Sequence, residues 1–438
     1  MNKISRYFST LEITRGFLVA LLGSVFIYLE HEGHTYSFLI TIFGISSLTL
    51  LMASNKKIWL ISGFFTGIFW FWWIALSFEH YHMIWAIPLV VIAMGLLYAV
   101  IFWSVAWVSE KITKRFTLTP SGNTLGMHAS LFTLTLKALG LLVLSYIHPF
   151  GFDWFKPELM FVNSYIGIEK WQFTLVLVAI ILTIWKNNFL FLFLILLAYQ
   201  PTSKVNIPLP EEIDIVTMHT SVEDKWNKTL HQNQFKDVLQ TIDHAIDQKK
   251  RLIILPESVF PVFLNYKLDL LAKLERRAKH ISIVVGGLHW DGKTPHNSTY
   301  IFTNGKIAIA NKVLLVPFGE SNPLPDFLSD WVNKVFYDGA VDYKASENVV
   351  DYSIDGVIYR NAICFEATSE RLYAKDVNNL RPKNMIVLSN NGWFTPSIEP
   401  TLQKLLLQYY SKKYGTTIYH SVNMSSSYII QSGQLLSP

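Results

Sequence analysis

Seven apolar segments crowd into the first 200 residues of this 438-residue chain, and they constrain its fold more than any other feature. They run over 11–29, 37–53, 58–77, 84–108, 127–147, 171–185 and 189–199. Crossing the hydrocarbon core takes ~20 helical residues. Most of the first five segments approach that length. The last two are short and fit either two tilted spans or one bent hairpin. Charged residues make up only 16% of the chain, against about 25% in ordinary soluble domains. The 14 tryptophans suit interfacial belts. No small-residue cleavage site follows the first segment, and more spans come after it, so it reads as a span and not as a cleaved signal.

The basic residues of this half alternate between loops. Lys3 and Arg6 precede the first span, Lys56 and Lys57 separate the second and third, Lys111, Lys114 and Arg115 follow the fourth, and Lys186 sits between the last two. Loops 31–36 and 78–83 contain no Lys or Arg, and loop 148–170 has only Lys156 and Lys170. The positive-inside rule then puts the N-terminus in the cytoplasm, and seven crossings place everything after residue 199 outside. The net charge of +5 is absorbed largely by these topogenic loops. With no basic stripe interleaved with exposed aromatics, nucleic acid is not an expected partner.

A three-proline stretch at 201–210 separates this membrane part, 1–200, from a second part at 211–438 with soluble α/β patterning. Strands are expected at 213–218, 252–255, 281–288, 300–303, 306–310, 357–364, 385–388, 417–420 and 428–431. Helices are expected at 230–246, 270–280 and 400–414. Alternating strands and helices predict a layered α/β domain covered by helices.

Three short segments put a reactive side chain at the end of an apolar strand. They are LPES at 255–258, NK followed by LLVPFGE at 311–320, and AICFE at 362–366. Cys364 is the only cysteine, which excludes an intrachain disulfide and any multi-cysteine metal site. A thiol attacks a carbonyl only as the thiolate, so it needs a base or a depressed pKa. Glu257 is a candidate base, and Lys312 is a candidate for stabilising thiolate and oxyanion, with help from the N–H of Phe365. Taken singly, each has an ordinary reading: an inert buried Cys, a capping Glu, an exposed Lys.

Together, and in this order, the three segments resemble the Glu-Lys-Cys set of the nitrilase superfamily. The multi-span part ahead of them makes the chain similar to the apolipoprotein N-acyltransferase family. That resemblance implies a helical membrane domain followed by an αββα sandwich. It implies transfer of a fatty acyl chain from a phospholipid to the α-amine of the S-diacylglyceryl-cysteine of bacterial apolipoproteins. By resemblance, Glu257 is the general base, Lys312 the oxyanion stabiliser and Cys364 the nucleophile. Glu320 matches a second acidic residue of the site, and Trp226 a substrate-binding tryptophan. Phe365 and Glu366 follow the nucleophile where the family usually has Tyr-Glu. Residues 390–394, with Trp393, match a loop bordering the pocket. The implied partners are a phospholipid donor, a diacylated apolipoprotein acceptor and the bilayer. The implied location is the bacterial inner membrane, with the catalytic part on the periplasmic side. The family continues into a final span, whereas nothing apolar follows the last strand here, so a catalytic part tethered on one side is expected.

No cofactor is expected, since HExxH, a P-loop and GxGxxG are all missing, and the 13 histidines are scattered. Phe327, Leu328, Trp331, Val332, Val335 and Phe336 share one helical face, read either as core or as a lid dipping into the membrane interface. Two other functions fit less well. A tethered amidase using water as acceptor has no need of seven spans, and a non-catalytic scaffold has no need of three reactive residues.

Overall fold

The computed structural model describes residues 8–117, 126–200, 210–317, 319–320, 343–375 and 379–436. The aromatic stripe 327–336 lies outside the described residues. The chain divides into two compact units, Met1–His148 with Phe155–Ser203, and Pro149–Trp154 with Lys204–Pro438.

Among the described residues, the first unit holds six α-helices of more than two turns: α1 (Thr10–His31), α2 (Ser37–Met52), α3 (Lys56–Phe71), α4 (Ile87–Thr117), α5 (Gly126–Leu144) and α6 (Lys170–Lys186). Ser9 and Glu12 form a reciprocal capping box that starts α1. Asn55 accepts the N–H groups of Lys57 and Ile58 to start α3. Gly63 and Gly67, one turn apart on α3, let the backbone of α4 approach closely. A Cβ at Gly63 would collide with the Tyr98 carbonyl. On the other side of α4, Leu89, Ile92, Leu96 and Val100 form an exposed apolar stripe, as expected where lipid is the solvent. Among the described residues, four helical stretches are long and apolar enough to cross a membrane: Thr10–His31, Lys56–His80, Ile84–Phe116 and Ser130–Gly151. The seventh apolar segment folds as a 3-10 helix, Phe189–Ala198. At ~2 Å rise per residue it reaches about 20 Å, so crossing the ~30 Å core would take the residues flanking it as well.

The second unit is the expected αββα sandwich. Its first sheet runs in the order β1 (Ile213–Ile215), β3 (Leu252–Ile254), β5 (Ser282–Trp290), β6 (Pro295–Thr303), β7 (Lys306–Asn311), with β4 (Phe260–Phe263) also on β5. Its second runs β13 (Gln434–Leu436), β12 (Tyr428–Gln431), β11 (Thr417–Asn423), β10 (Asn384–Asn390), β9 (Val357–Ile363), β8 (Asp351–Ile354), with β2 (Thr217–Met218) on β11. The strands β1, β3 and β5 are mutually parallel, as are β9, β10 and β11. Leu252, Ile254, Val284 and Ile301 of one sheet meet Tyr352, Tyr359, Ile386 and Leu388 of the other in a shared core. The outer face of the first sheet is covered by α8 (His231–Asp247) and α9 (Leu268–Arg277), preceded by the short α7 (Val222–Trp226). The last helix, α10 (Glu399–Tyr414), packs against the Cys364–Thr368 turn and β12.

Two expected strands differ from what forms. The run 213–218 breaks at Val216, because its first half joins one sheet on β3 and its second half joins the other on β11. The strand expected from 300 begins at Pro295. Its polar first half, His296, Asn297, Ser298 and Thr299, is fully buried and carries ladder pairs with β5.

Candidate active site

Parallel strands of both sheets end at one place. Beyond β3 come Leu255, Pro256 and Glu257; beyond β9 comes Cys364; beyond β7 comes Lys312. Such ends are where rigid strands hold reactive groups while loops expose them.

Cys364 has φ +53°, the left-handed region that a Cβ-bearing residue enters at a cost of ~1–3 kcal/mol. The strand therefore turns sharply at the sulfur and continues as a 3-10 turn, Cys364–Thr368. Ser258, just after Glu257, has φ +46°. The turn at Glu257 lies against Gly286 of β5, where a Cβ would overlap the Ser258 backbone nitrogen and stand 2.7 Å from Glu257 Cα.

Lys312 is 1% exposed. Its Nζ lies 2.7 Å from Glu320 Oε2 and 3.8 Å from Glu257 Oε1. Burial alone would pull its pKa down, but the two carboxylates outweigh burial and hold the ammonium above its ordinary value. Glu257 is pushed upward by burial first. Lys312 opposes that push, Glu320 adds to it, and the Asn297 amide opposes it. The Cys364 thiol is pushed well up by burial and by the charge of Glu257, against the pull of Lys312 and the backbone of Asn390. The resting sulfur thus holds its proton, next to a lysine that stays charged.

Two residues missed in the sequence organise this cluster. Asn297 Nδ2 donates to Glu257 Oε1 at 2.7 Å and to Glu320 Oε1 at 2.9 Å. Its carbonyl accepts the Lys312 N–H. Lys225 is 4% exposed and donates from Nζ to the Glu257 carbonyl at 3.2 Å. Burial brings its pKa down to about 8, with Glu257 and Cys364 opposing. The neighbouring Trp226 is 40% exposed, so Lys225 is the residue of that short helix that reaches the cluster. A cavity of about 260 Å³ opens beside Glu257, lined among others by Lys225, Gln234, Asp237 and Thr220.

Glu366 is buried and acts as a brace. One oxygen accepts the N–H groups of Val313 and Leu314, and the other accepts that of Ile363. Burial raises its pKa to about 7 against those three donors. Phe365 points into an aromatic stack with Phe152 and Trp154, its ring centroid 5.5 Å from that of Phe152. Trp393 is half-buried in the 3-10 turn Asn391–Trp393, which follows β10. Among the described residues there is no His/Cys/Asp/Glu group that could hold a metal ion.

A helical membrane part followed by a two-sheet α/β domain that gathers Glu257, Lys312 and Cys364 at its strand ends defines a multi-pass membrane protein with a candidate thiol site. Residues 10–202 match the model of the apolipoprotein N-acyltransferase integral membrane domain. Over 417 residues, 94% of each chain, the sequence is 37% identical to an apolipoprotein N-acyltransferase of Wolinella succinogenes. It is 35% identical to one of Helicobacter hepaticus over 408 residues, 90% of this chain and 92% of that one. The chain belongs to the apolipoprotein N-acyltransferase family. Solved structures similar to it include XC1258 of Xanthomonas campestris, a CN-hydrolase superfamily protein, at 15% identity and TM-score 0.39 over 51% of this chain and 84% of that one. An amidase of the nitrilase superfamily from Nesterenkonia matches at 13% identity and TM-score 0.38 over 53% and 88%.

Proposed function

We propose that this protein moves a fatty acyl chain from a phospholipid to the N-terminal amine of an S-diacylglyceryl apolipoprotein, with Cys364 carrying the acyl group as a thioester. Glu257 takes the thiol proton as Sγ attacks the ester carbonyl. Lys312, held charged by Glu320 and Glu257, faces the oxyanion. The C–O bond breaks, Glu257 returns its proton to the leaving glycerol oxygen, and lysophospholipid departs. The amine nitrogen then attacks the thioester, Glu257 accepts one of its protons, the C–S bond breaks and the sulfur is reprotonated. Alternating release and binding makes the kinetics ping-pong.

The observation that carries this reading is Lys312 buried between two carboxylates and electrostatically coupled to a sulfur at a left-handed turn. Glu320, Asn297 and Glu366 position these groups, and Trp226 and Trp393 border the substrate path. In the same reading residues 1–200 sit in the bacterial inner membrane with the N-terminus cytoplasmic, 201–210 is a linker, and 211–438 works on the periplasmic side. Both substrates live in a bilayer, so neither has to be drawn into water.

Intact mass measurement after exposure to phospholipid tests the proposal. The full chain gains one acyl mass that hydroxylamine removes, and Cys364→Ala gains none. A wild-type chain that gains no mass, or gains it equally without Cys364, overturns it.

A further inference from the structure

Behind Cys364 stands a second polar face that the steps above leave unused. Glu399 and Gln403 lie one turn apart on α10 and so share a side of the helix. Gln403 is 0% exposed, and its Nε2 donates to Cys364 Sγ at 3.8 Å. Glu399 is 2% exposed, and its charge acts on Cys364, as that of Glu257 acts on it. Gln403 Oε1, Glu399 Oε2 and the hydroxyl of Tyr428 on β12 have no hydrogen-bond partner among the described residues. Buried acceptors are nearly always paired in folded proteins, so a cluster of unpaired ones beside a nucleophile points to a ligand that donates.

Resting on the acyl-transfer reading above, we propose that Glu399 and Gln403 form the subsite for the attacking amine of the acceptor. The phospholipid ester brings no N–H donor to the sulfur, whereas the second substrate brings a primary amine to the thioester carbon. Gln403 already touches the sulfur, so its free carbonyl oxygen lies at the place where that amine arrives. Glu399 accepts a second N–H and holds the nitrogen lone pair toward the carbonyl. The proton lost on attack still goes to Glu257 and then to sulfur, so atoms and charge balance as before. Burial, and then the charge of Glu257, raise the pKa of Glu399 to about 8.

The test separates the two halves of the reaction. Acyl-enzyme is formed on the detergent-solubilised full chain with phospholipid, then mixed with a synthetic S-diacylglyceryl-cysteinyl peptide, and both steps are timed by intact mass. For Glu399→Met and Gln403→Met, acylation by phospholipid is slowed at least about threefold less than transfer to the peptide. Transfer to the peptide falls at least about tenfold, and the peptide concentration for half-maximal rate rises. Glu399→Gln, which keeps an acceptor oxygen, retains more of the transfer rate than Glu399→Met does. Should the Met variants not fold, Gln403→Asn withdraws the same carbonyl and carries the comparison. Wild-type transfer in these variants, or equal slowing of both halves, overturns the subsite. A wild-type chain that never acylates overturns the thioester itself, which is a different result.

Discussion

The carboxylate of Glu366 accepts the backbone N–H of Val313 at 2.7 Å. That bond ties the turn carrying Lys312 to the turn carrying Cys364. The other Glu366 oxygen takes the N–H of Ile363, immediately before the sulfur. One buried side chain thus sets the spacing of two reactive groups that are 52 residues apart in sequence (364 − 312).

Replacing Glu366 with Gln puts an NH2 group against backbone donors and leaves at least one of them unpaired. Leaving a buried donor unsatisfied costs ~1–3 kcal/mol, and the freed turn no longer holds Lys312 to the sulfur. The expected outcome is a melting temperature lower by several degrees and acyl-enzyme formation slowed at least about a hundredfold. Thermal unfolding and intact mass read the two effects on the same sample.

Much of this site was legible in advance because Glu257, Lys312 and Cys364 each end an apolar strand and stand in distinctive short motifs. Asn297 was not legible. It lies in a polar run, HNST, that has no strand periodicity, yet the run is a fully buried ladder partner of β5. Its polarity serves the carboxylates it faces, and a hydrophobic pattern cannot reveal a strand built to be polar inside. The break at Val216 was hidden for a related reason. Local propensity is the same on both sides of it, and only long-range pairing decides that Ile213–Ile215 and Thr217–Met218 enter different sheets. The seventh apolar segment folds as a 3-10 helix, which apolarity alone does not distinguish from an α-helix.

Asn297→Ala tests the bridge between the carboxylates. The amide holds the Glu257 pKa down against burial, so removing it moves that pKa further up. A base must be ionised to accept the thiol proton, so the acid limb of the acylation profile shifts to higher pH. The rate at pH 7 therefore falls and recovers as the pH is raised. A pH series of acyl-enzyme formation rates checks it, and an unmoved acid limb would sink the assignment of Glu257 as base.

Gly286→Ala probes the close approach under the Glu257 turn. The added methyl overlaps the Ser258 nitrogen and crowds Glu257 Cα, and neither backbone atom can rotate away. Overpacking of this kind costs ~1–3 kcal/mol, and displacing a base by even ~1 Å costs up to about a hundredfold in rate. Thermal unfolding should register the first and acylation kinetics the second. Unchanged kinetics would mean that the turn has room to move.

Lys225 gives a prediction in which sign decides. Burial lowers its folded-state pKa to about 8, whereas the unfolded chain keeps the ordinary ~10.4. Between those values the unfolded state binds more protons than the folded state, so this lysine makes stability rise with pH across about 8 to 10.4. The full difference is ~3 kcal/mol, an upper bound because the Glu257 carbonyl at 3.2 Å remains a partner for the charged form. In Lys225→Met that contribution disappears, so the wild type gains stability relative to the variant as pH is raised from 8 to 10. Unfolding midpoints measured for both proteins at half-unit steps give the difference directly. A difference that stays flat over that range would place the Lys225 ammonium in contact with water and remove it from the cluster around Glu257.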